Sequence, residues 1–412
     1  MQNATLTIMG SNGLSVSASV NSDGSYSNLS LNGLTAPYRL QACGPVNAVY
    51  TCHYAVAQGG GVANVTSLTT AQITLANGGD AAGIMTSGAP SASALSGSQQ
   101  TLQAALAQAL AAVGLSGGAD FTTTAFNADR TGMDKMLDVI AASTGVNNGH
   151  TFVQLEGRVG GGNFYVDSSG AQTGSLGDSA LISGLGLDLT GISQIFAALN
   201  SAAGSGTVGA CAAVLGNNAS MLDAQFSLTI NQQTLNAGNF AAQICSFLSQ
   251  GGLLGGSVAN PTLRDCDFSG SDKICTVGFD VLNGSTIQEG AEMAVVLRSG
   301  SAAWKLLGQA TPYEIHVNAN VQRTLRANVS SPQPSYYRAI SFEIHTAANG
   351  VSNAVQSAKV SPAPVGMAPR SPRSATRAAP ANPGSPSREA VAAAPGWGWT
   401  ASTTAIWPRA TR

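Results

Sequence analysis

Four short runs with apolar residues that alternate with polar ones or follow one another decide the fold: TLRDCDF (262–268), ICTVGFDV (274–281), AEMAVVL (291–297) and AWKLL (303–307). Alternation with a period of two predicts β-strands, and a further strand pattern follows at 313–321. Helical patterns around 192–199 and 240–248 precede these strands. Helices followed by consecutive strands favour one curved antiparallel sheet with helices packed against it.

The N-terminal part of the chain has a pattern of strands and turns. LSVSASV (14–20) alternates apolar and small polar residues, and the segment 21–26 supplies a turn. Further on, Ser96 and Gln99 fit a capping box. We predict one helix with Leu102, Leu106, Leu110 and Val113 on one face, a second with Met133, Leu137 and Ile140, and a hairpin around Gly160–Gly162.

The chain is poor in the side chains that carry most enzyme chemistry. Only 9 % of the 412 residues are Asp, Glu, Lys or Arg, against roughly a quarter in an ordinary soluble domain, and only 4 are His. Six Arg and one Glu beyond Val360 give the tail a charge of +5, which leaves −7 for the rest of a chain whose net charge is −2. We therefore predict a protein that is not an enzyme, has no cofactor and binds no nucleic acid.

The six cysteines fall at 43 and 52, 211 and 245, and 266 and 275. The absence of a C-x-x-C motif and the four scattered His argue against a zinc site. Disulfides in an oxidising compartment and six free buried thiols both fit the sequence, and we favour the first. The pairing stays open, although Cys43 and Cys52 flank Gly44-Pro45 and could face each other across a hairpin.

The N-terminal motifs resemble a known module. SDGSY (22–26), followed by LTAP (34–37) and LQA (40–42), looks like the carboxypeptidase-regulatory-like β-sandwich module of bacterial envelope proteins, a non-catalytic spacer or binding sandwich. The segments 65–71, 121–126 and 131–138 resemble the continuation of uncharacterised proteobacterial envelope lipoproteins. The resemblance implies a further strand and an export signal upstream, so we expect a truncated N-terminus and a lipid anchor absent from this chain.

AWKLLG (303–308) ahead of YEIHV (313–317) is similar to the last strands of the cone-shaped nuclear-transport-factor-like fold. Catalytic members of that family place Asp and His inside the cone. Asp280, Glu314 and His316 could supply such a pair here, but polar residues on exposed strand faces are the alternative that we favour. Trp304 could stack on a sugar, and packing in the core is again the favoured alternative.

NADRTG (127–132) with Asp138 reproduces the spacing of an EF-hand calcium loop. Asn at its first position, Thr at its fifth and Asp at its last depart from that pattern. We favour the alternative that Asp129 or Thr131 caps a helix and Asp134 complements its dipole, and we predict no metal site. Gly59–Gly61 and Gly160–Gly162 lack the phosphate-loop pattern, so we predict hairpin turns at both.

These observations predict a multi-domain protein, mainly β with α+β parts. We expect a partial β-sandwich at 1–75, a helical and hairpin connector at 76–183, an α+β cone-like module at 184–326, the start of a truncated β domain at 335–360, and a disordered Pro/Ala/Arg-rich tail at 361–412. A frameshift or mispredicted reading frame is the alternative explanation of the tail.

The predicted function is non-catalytic binding or structural work in the cell envelope, periplasmic or at the outer surface, or after secretion. Envelope proteins or neutral glycans are the expected partners, and no segment reaches the length of a transmembrane span. The alternative is a small-molecule enzyme or ligand carrier that uses the interior of the cone-like module.

Overall fold

The computed structural model describes residues 4–21, 23–27, 29–46, 48–230, 233–284 and 286–309 in full, and the backbone of 315–324, 335–344 and 401–402. The chain divides into two compact units, Met1–Ala310 and Thr311–Arg412. The described part contains several sheets and nine α-helices, so the predicted multi-sheet β and α+β architecture is confirmed.

The first sheet is antiparallel, with the strand order β2-β1-β3-β4. Its strands are β1 (Thr5–Met9), β2 (Ser15–Ser19), β3 (Tyr38–Val46) and β4 (Val49–Ala57). Alternation buries Leu6, Ile8 and Leu40 on one face, where apolar residues between positions 16 and 34 pack against them. Tyr54 and Val56 face the other way and pack against helices. The sheet is therefore covered on both faces.

A helix, α1 (Ser67–Asn77), follows β4 where the sequence pattern had predicted strand and turn up to residue 75. Thr66 and Thr69 form a reciprocal capping box at its start, and Leu68, Ala71 and Ile73 are buried. The next helices are α2 (Ile84–Ser87), α3 (Ala92–Ala105) and α4 (Ala107–Ala112).

Two local predictions in this region are wrong. The capping box predicted at Ser96 lies inside α3, because Ser91 caps that helix by accepting from the backbone N–H of Ala94. Gly59–Gly61 do not form a hairpin turn, since they follow β4 and lead towards α1.

The second sheet is an antiparallel meander preceded by α5 (Gly132–Val139). Its strands are β5 (Ile140–Asn147), β6 (His150–Gly157), β7 (Asn163–Asp167) and β8 (Gln172–Ser175). Ile140, predicted on the helix, begins β5 instead. The predicted hairpin around Gly160–Gly162 is confirmed by the pairing of β6 with β7. Gly160 has φ +77°, and a Cβ there would lie 2.3 Å from an Asp178 oxygen, so only glycine fits.

The third sheet has six strands in the order β10-β9-β14-β13-β12-β11. All neighbours are antiparallel except β14 and β9, which are parallel. The elements in chain order are α6 (Ser179–Gly186), α7 (Thr190–Ala203), α8 (Val208–Asn217), β9 (Leu222–Ile230), β10 (Gln233–Asn236), α9 (Phe240–Gln250), β11 (Ser257–Asp267), β12 (Lys273–Asn283), β13 (Thr286–Leu297) and β14 (Trp304–Gly308). The four strands predicted between 262 and 307 are confirmed, but β9 and β10, which lie between α8 and α9, were not predicted, and the parallel pair β14–β9 departs from the predicted antiparallel sheet.

The largest buried cluster extends from Leu68 to Leu306 and joins helices with the second and third sheets. Aromatic pairs hold it together on the helix-facing side of the third sheet: Phe196 lies 5.2 Å from Phe279, and Phe226 lies 4.8 Å from Phe240, between ring centroids. The predicted connector and the predicted cone-like module thus contribute to one core. The domain limits given above stay a prediction.

The second unit contains an antiparallel hairpin of β15 (Ile315–Thr324) and β16 (Ser335–Ile344), with β17 (Ala401–Ser402) parallel to β16. The strand patterns predicted near 313–321 and 337–344 fall on this hairpin. The predicted disordered tail lies outside the described residues apart from β17, and so does most of the predicted truncated domain beyond β16.

Candidate functional site

The segment whose spacing resembles a calcium loop is organised around an arginine. Arg130 is buried, with φ +59°, and its guanidinium donates to Asp138 Oδ2 at 2.5 Å, Ser193 Oγ at 2.8 Å and the Pro261 carbonyl at 2.9 Å. Because Asp138 pairs with Arg130, the residue at the last position of the loop serves an ion pair. The arrangement fastens α5 to α7 and β11.

The helix-capping alternative is correct in part. Thr131 occupies the N-cap position of α5 without a side-chain cap bond, and Asp129 accepts from the backbone N–H of Thr131 at 3.0 Å. Asp134 lies in the first turn and accepts from the backbone N–H of Arg130 at 2.7 Å. A carboxylate in the first turn also stabilises the helix dipole.

Burial shifts the pKa values of ionisable groups around Arg130. Desolvation raises the pKa of Asp138 to about 6, and the charge of Arg130 acts in the opposite direction. Desolvation also lowers the pKa of Arg158, whose buried Nη1 has no hydrogen-bond partner. Burial therefore favours the protonated form of Asp138 more than is usual for an aspartate, although its hydrogen bonds are structural.

Asp280, one of the two acidic residues of the suggested catalytic set, does not lie on the helix-facing side of the third sheet. Phe279 and Val281 belong to the core on the helix-facing side, so alternation along β12 places Asp280 on the opposite face. Its carboxylate is fully buried and accepts from the Ala48 backbone N–H and from Asn260. Glu314 and the side chain of His316 lie outside the described residues.

Trp304 is a core residue, as favoured. Its side chain is buried, and its indole N–H donates to the Asp188 carbonyl at 2.7 Å. A ligand-stacking surface at this position is therefore wrong, because the ring packs between β14 and the start of α7 near Gly191.

Another ion-pair cluster links the ends of three strands of the third sheet. Arg298 contacts Asp223 at 2.5 Å and Asp272 at 2.7 Å. Hydrogen bonding to the guanidinium holds the pKa of Asp223 below its usual value. These carboxylates therefore stay ionised and fix the turn between β13 and β14.

All six cysteines form disulfides. Cys43–Cys52 and Cys266–Cys275 each join directly opposite residues of neighbouring strands, with a Cα–Cα distance of 4.1 Å in both. Cys211–Cys245 joins α8 to α9 at 5.8 Å. Three disulfides indicate an oxidising, extracytoplasmic location.

His53 follows the Cys52 disulfide along β4. Burial lowers its pKa to about 4, and its Nδ1 lies 3.4 Å from the Thr70 hydroxyl on α1. The imidazole is therefore uncharged at neutral pH and lies at the contact between the first sheet and α1.

An uncharged cleft of about 200 Å³ opens on the first sheet. We call it the tyrosine cleft, since Tyr26 and Tyr38 form its aromatic walls above Leu40. Ser27 and Gly60 stand at its rim, and every described residue that lines it is uncharged. Its volume is below the ~300–1,000 Å³ of typical ligand pockets, so a single ring suits it better than an extended molecule.

The tyrosine at position 26 is held in place. Its hydroxyl donates to the Ala63 carbonyl, and burial raises its pKa to about 12. In the sequence, Tyr26 stands out only as part of a turn motif. One sequence signal could have found the cleft. A turn that contains a tyrosine and the glycine run at 59–61 both adjoin strands of the same sheet.

Among the described residues, no three His, Cys, Asp or Glu side chains are grouped in a way that could hold a metal ion. Nor does any single helix in that part of the chain combine the length and apolarity needed to cross a bilayer; α6 and α7 pass such a test only as a pair bent by 62°.

Comparison with known proteins gives no relative: no family model, curated protein or solved structure matches the chain. Function is therefore inferred from the residues of this chain.

Proposed function

We propose that this protein is a non-catalytic binding or structural protein of the cell envelope, or a secreted one, and that the tyrosine cleft receives a neutral sugar ring. The observation that carries the proposal is a preformed cleft with two tyrosine rings and an uncharged lining. The apolar face of a pyranose packs against aromatic rings, while its hydroxyls bond to rim groups such as Ser27.

The uses of the ionisable groups support this proposal. Asp280, the Arg130–Asp138 pair and the Arg298 cluster all make contacts that fasten secondary-structure elements together. The helix-facing side of the third sheet is filled by side chains such as Phe196 and Phe279, which favours a binding or structural role over an enzyme or carrier with a ligand inside the cone.

The placement in the envelope extends the coarser inference from the disulfides. The relationships to envelope lipoproteins, to the carboxypeptidase-regulatory-like module and to the nuclear-transport-factor-like cone are part of this proposal. The six-stranded sheet packed with helices supports the cone-like relationship, whereas the four-stranded N-terminal sheet packs against helices and gives the sandwich module no support. Membrane association would then come from a lipid anchor, and other envelope proteins would be the alternative partners.

The test is a titration of the isotope-labelled protein with neutral mono- and disaccharides, followed by amide NMR. We expect saturable shifts at Tyr38 and Gly60. Tyr38→Ala should abolish them, because it removes one of the two aromatic rings that line the cleft. Tyr50→Ala, which changes an exposed tyrosine outside the cleft, is the matched control. Shifts that persist in Tyr38→Ala would refute the site.

A further inference from the structure

Arg39 is the only Lys or Arg among the first 129 residues. It lies on β3, and its side chain is only 6 % exposed. The guanidinium donates through Nη1 to the carbonyls of Ile84 at 3.0 Å and Met85 at 3.4 Å, and through Nη2 to the Gly10 carbonyl at 2.7 Å. All three acceptors are backbone oxygens, so no negative charge balances the cation through these bonds.

The donor groups of Arg39 are not all used. A guanidinium carries five N–H groups, of which Nε has no partner here and Nη2 donates once. Within the part of the chain that the structure describes, no carboxylate forms an ion pair with Arg39. A buried cation without a counter-ion is costly, and an unpaired N–H beside it adds to that cost.

A second cleft, separate from the tyrosine cleft, lies at this side chain. We call it the arginine cleft: it measures about 310 Å³ and is lined by Arg39 together with Ser11, Pro37, Thr86 and Ser87. Thr86 and Ser87 are exposed, so the cleft is open to solvent at α2. A lone buried cation thus forms part of the wall of an open cleft.

We propose that the arginine cleft binds a small, singly charged carboxylate, which goes beyond the neutral ligand proposed above. The Nε and Nη2 groups form one edge of the guanidinium, and that edge matches the two oxygens of a carboxylate side by side. One cation balances one negative charge, which favours a carboxylate over a phosphate dianion. Because the Nε atom is itself buried in the free protein, binding through this edge requires the guanidinium to move towards the cleft.

The experiment titrates the labelled full-length protein with glucuronate, acetate, glucose and inorganic phosphate at constant ionic strength, observing the arginine Nε–H signal and the backbone amides of 86–89. We expect saturable shifts with glucuronate and acetate and none at these positions with glucose, which differs from glucuronate by the carboxylate. Phosphate that binds as tightly as the carboxylates would overturn the assignment, and so would the absence of any saturable shift.

Variants separate an anion site from a purely structural arginine. Thr86→Glu places a carboxylate at the rim beside Arg39 and should weaken glucuronate binding at least about tenfold. Thr173→Glu makes the same change at an exposed threonine on β8 and should leave binding unchanged. Arg39→Gln should abolish binding; if that variant does not fold, Thr86→Glu decides. Unchanged affinity in Thr86→Glu would refute the proposal.

Discussion

Asp280 Oδ1 lies 2.6 Å from the backbone nitrogen of Ala48, a residue 232 positions earlier in the chain. Its Oδ2 accepts from the Asn260 side chain at 2.9 Å, and the same amide donates to the Pro45 carbonyl at 3.1 Å. One fully buried carboxylate thus fastens the turn between β3 and β4 to β11 and β12.

Asp280→Ala should lower the free energy of unfolding by about 3 kcal/mol, because the Ala48 N–H and the Asn260 amide both lose a charged acceptor in a buried place. Urea unfolding monitored by circular dichroism measures the change. Asp265→Ala, at an exposed position of β11, is the matched control and should shift stability by less than about 0.5 kcal/mol. Equal effects of the two variants would contradict the anchoring role.

Asp138→Asn should change the pH dependence of stability. The pKa of Asp138 is about 6 in the folded protein against an ordinary value of 3.8, so its contribution is fully present below pH 3.8 and is lost as the pH rises through 6. The free energy of unfolding of the variant, relative to that of the wild type, should therefore rise by up to about 3 kcal/mol between pH 4 and pH 7. Unfolding free energies at several pH values test this, and a constant difference would contradict it.

His53→Gln should change the pH dependence of stability in the opposite direction. The folded pKa of about 4 lies below the ordinary 6.5, so the stability that neutral His53 provides is present above pH 6.5 and is lost as the pH falls towards 4. The free energy of unfolding of the variant, relative to that of the wild type, should therefore rise by up to about 3 kcal/mol as the pH falls from 6.5 to 4. Because the two groups act in opposite directions, the double variant His53→Gln/Asp138→Asn should differ from the wild type in stability by an amount that does not change with pH. A pH-independent effect of His53→Gln alone would refute the assignment.

The disulfides should differ in how much they stabilise the fold. Cys211 and Cys245 are 34 residues apart, whereas the two cross-strand bridges span 9 residues each. Loop-closure entropy therefore predicts losses of about 4 kcal/mol for the Cys211→Ala/Cys245→Ala double variant and about 2.5 kcal/mol for Cys266→Ala/Cys275→Ala. Urea unfolding compares them, and a larger loss for the short bridge would contradict the entropic explanation.

The strand series from β11 to β14 could be predicted from sequence because each strand is a short run that alternates or, in β12 and β14, where both faces are buried, is largely apolar. Helix α1 could not, since its threonines favour strands in isolation, and burial of Thr69, Thr70 and Thr74 between two sheets overrides that preference. Tertiary packing decided the outcome there.

The site residues were less predictable. The spacing of Asp129 and Asp138 allowed a calcium loop, which was not the favoured interpretation, and it gave no sign that Arg130 between them supplies the cation that Asp138 binds. The partner of Asp280 is 232 residues away, a distance at which local patterns carry no signal. Arg39, in contrast, stands alone in a long stretch without another cation, a feature visible in the sequence that charge totals concealed.

The Cys43–Cys52 bridge closes a covalent ring that contains both Pro45 and Ala48, the two residues fastened to β11 and β12. A ring cannot lengthen, so tension pulling on the N-terminal sheet cannot unravel the turn one hydrogen bond at a time. The load must instead fall on both attachments together. The first sheet would therefore detach abruptly under stretching, and at a lower force once the bridge is reduced.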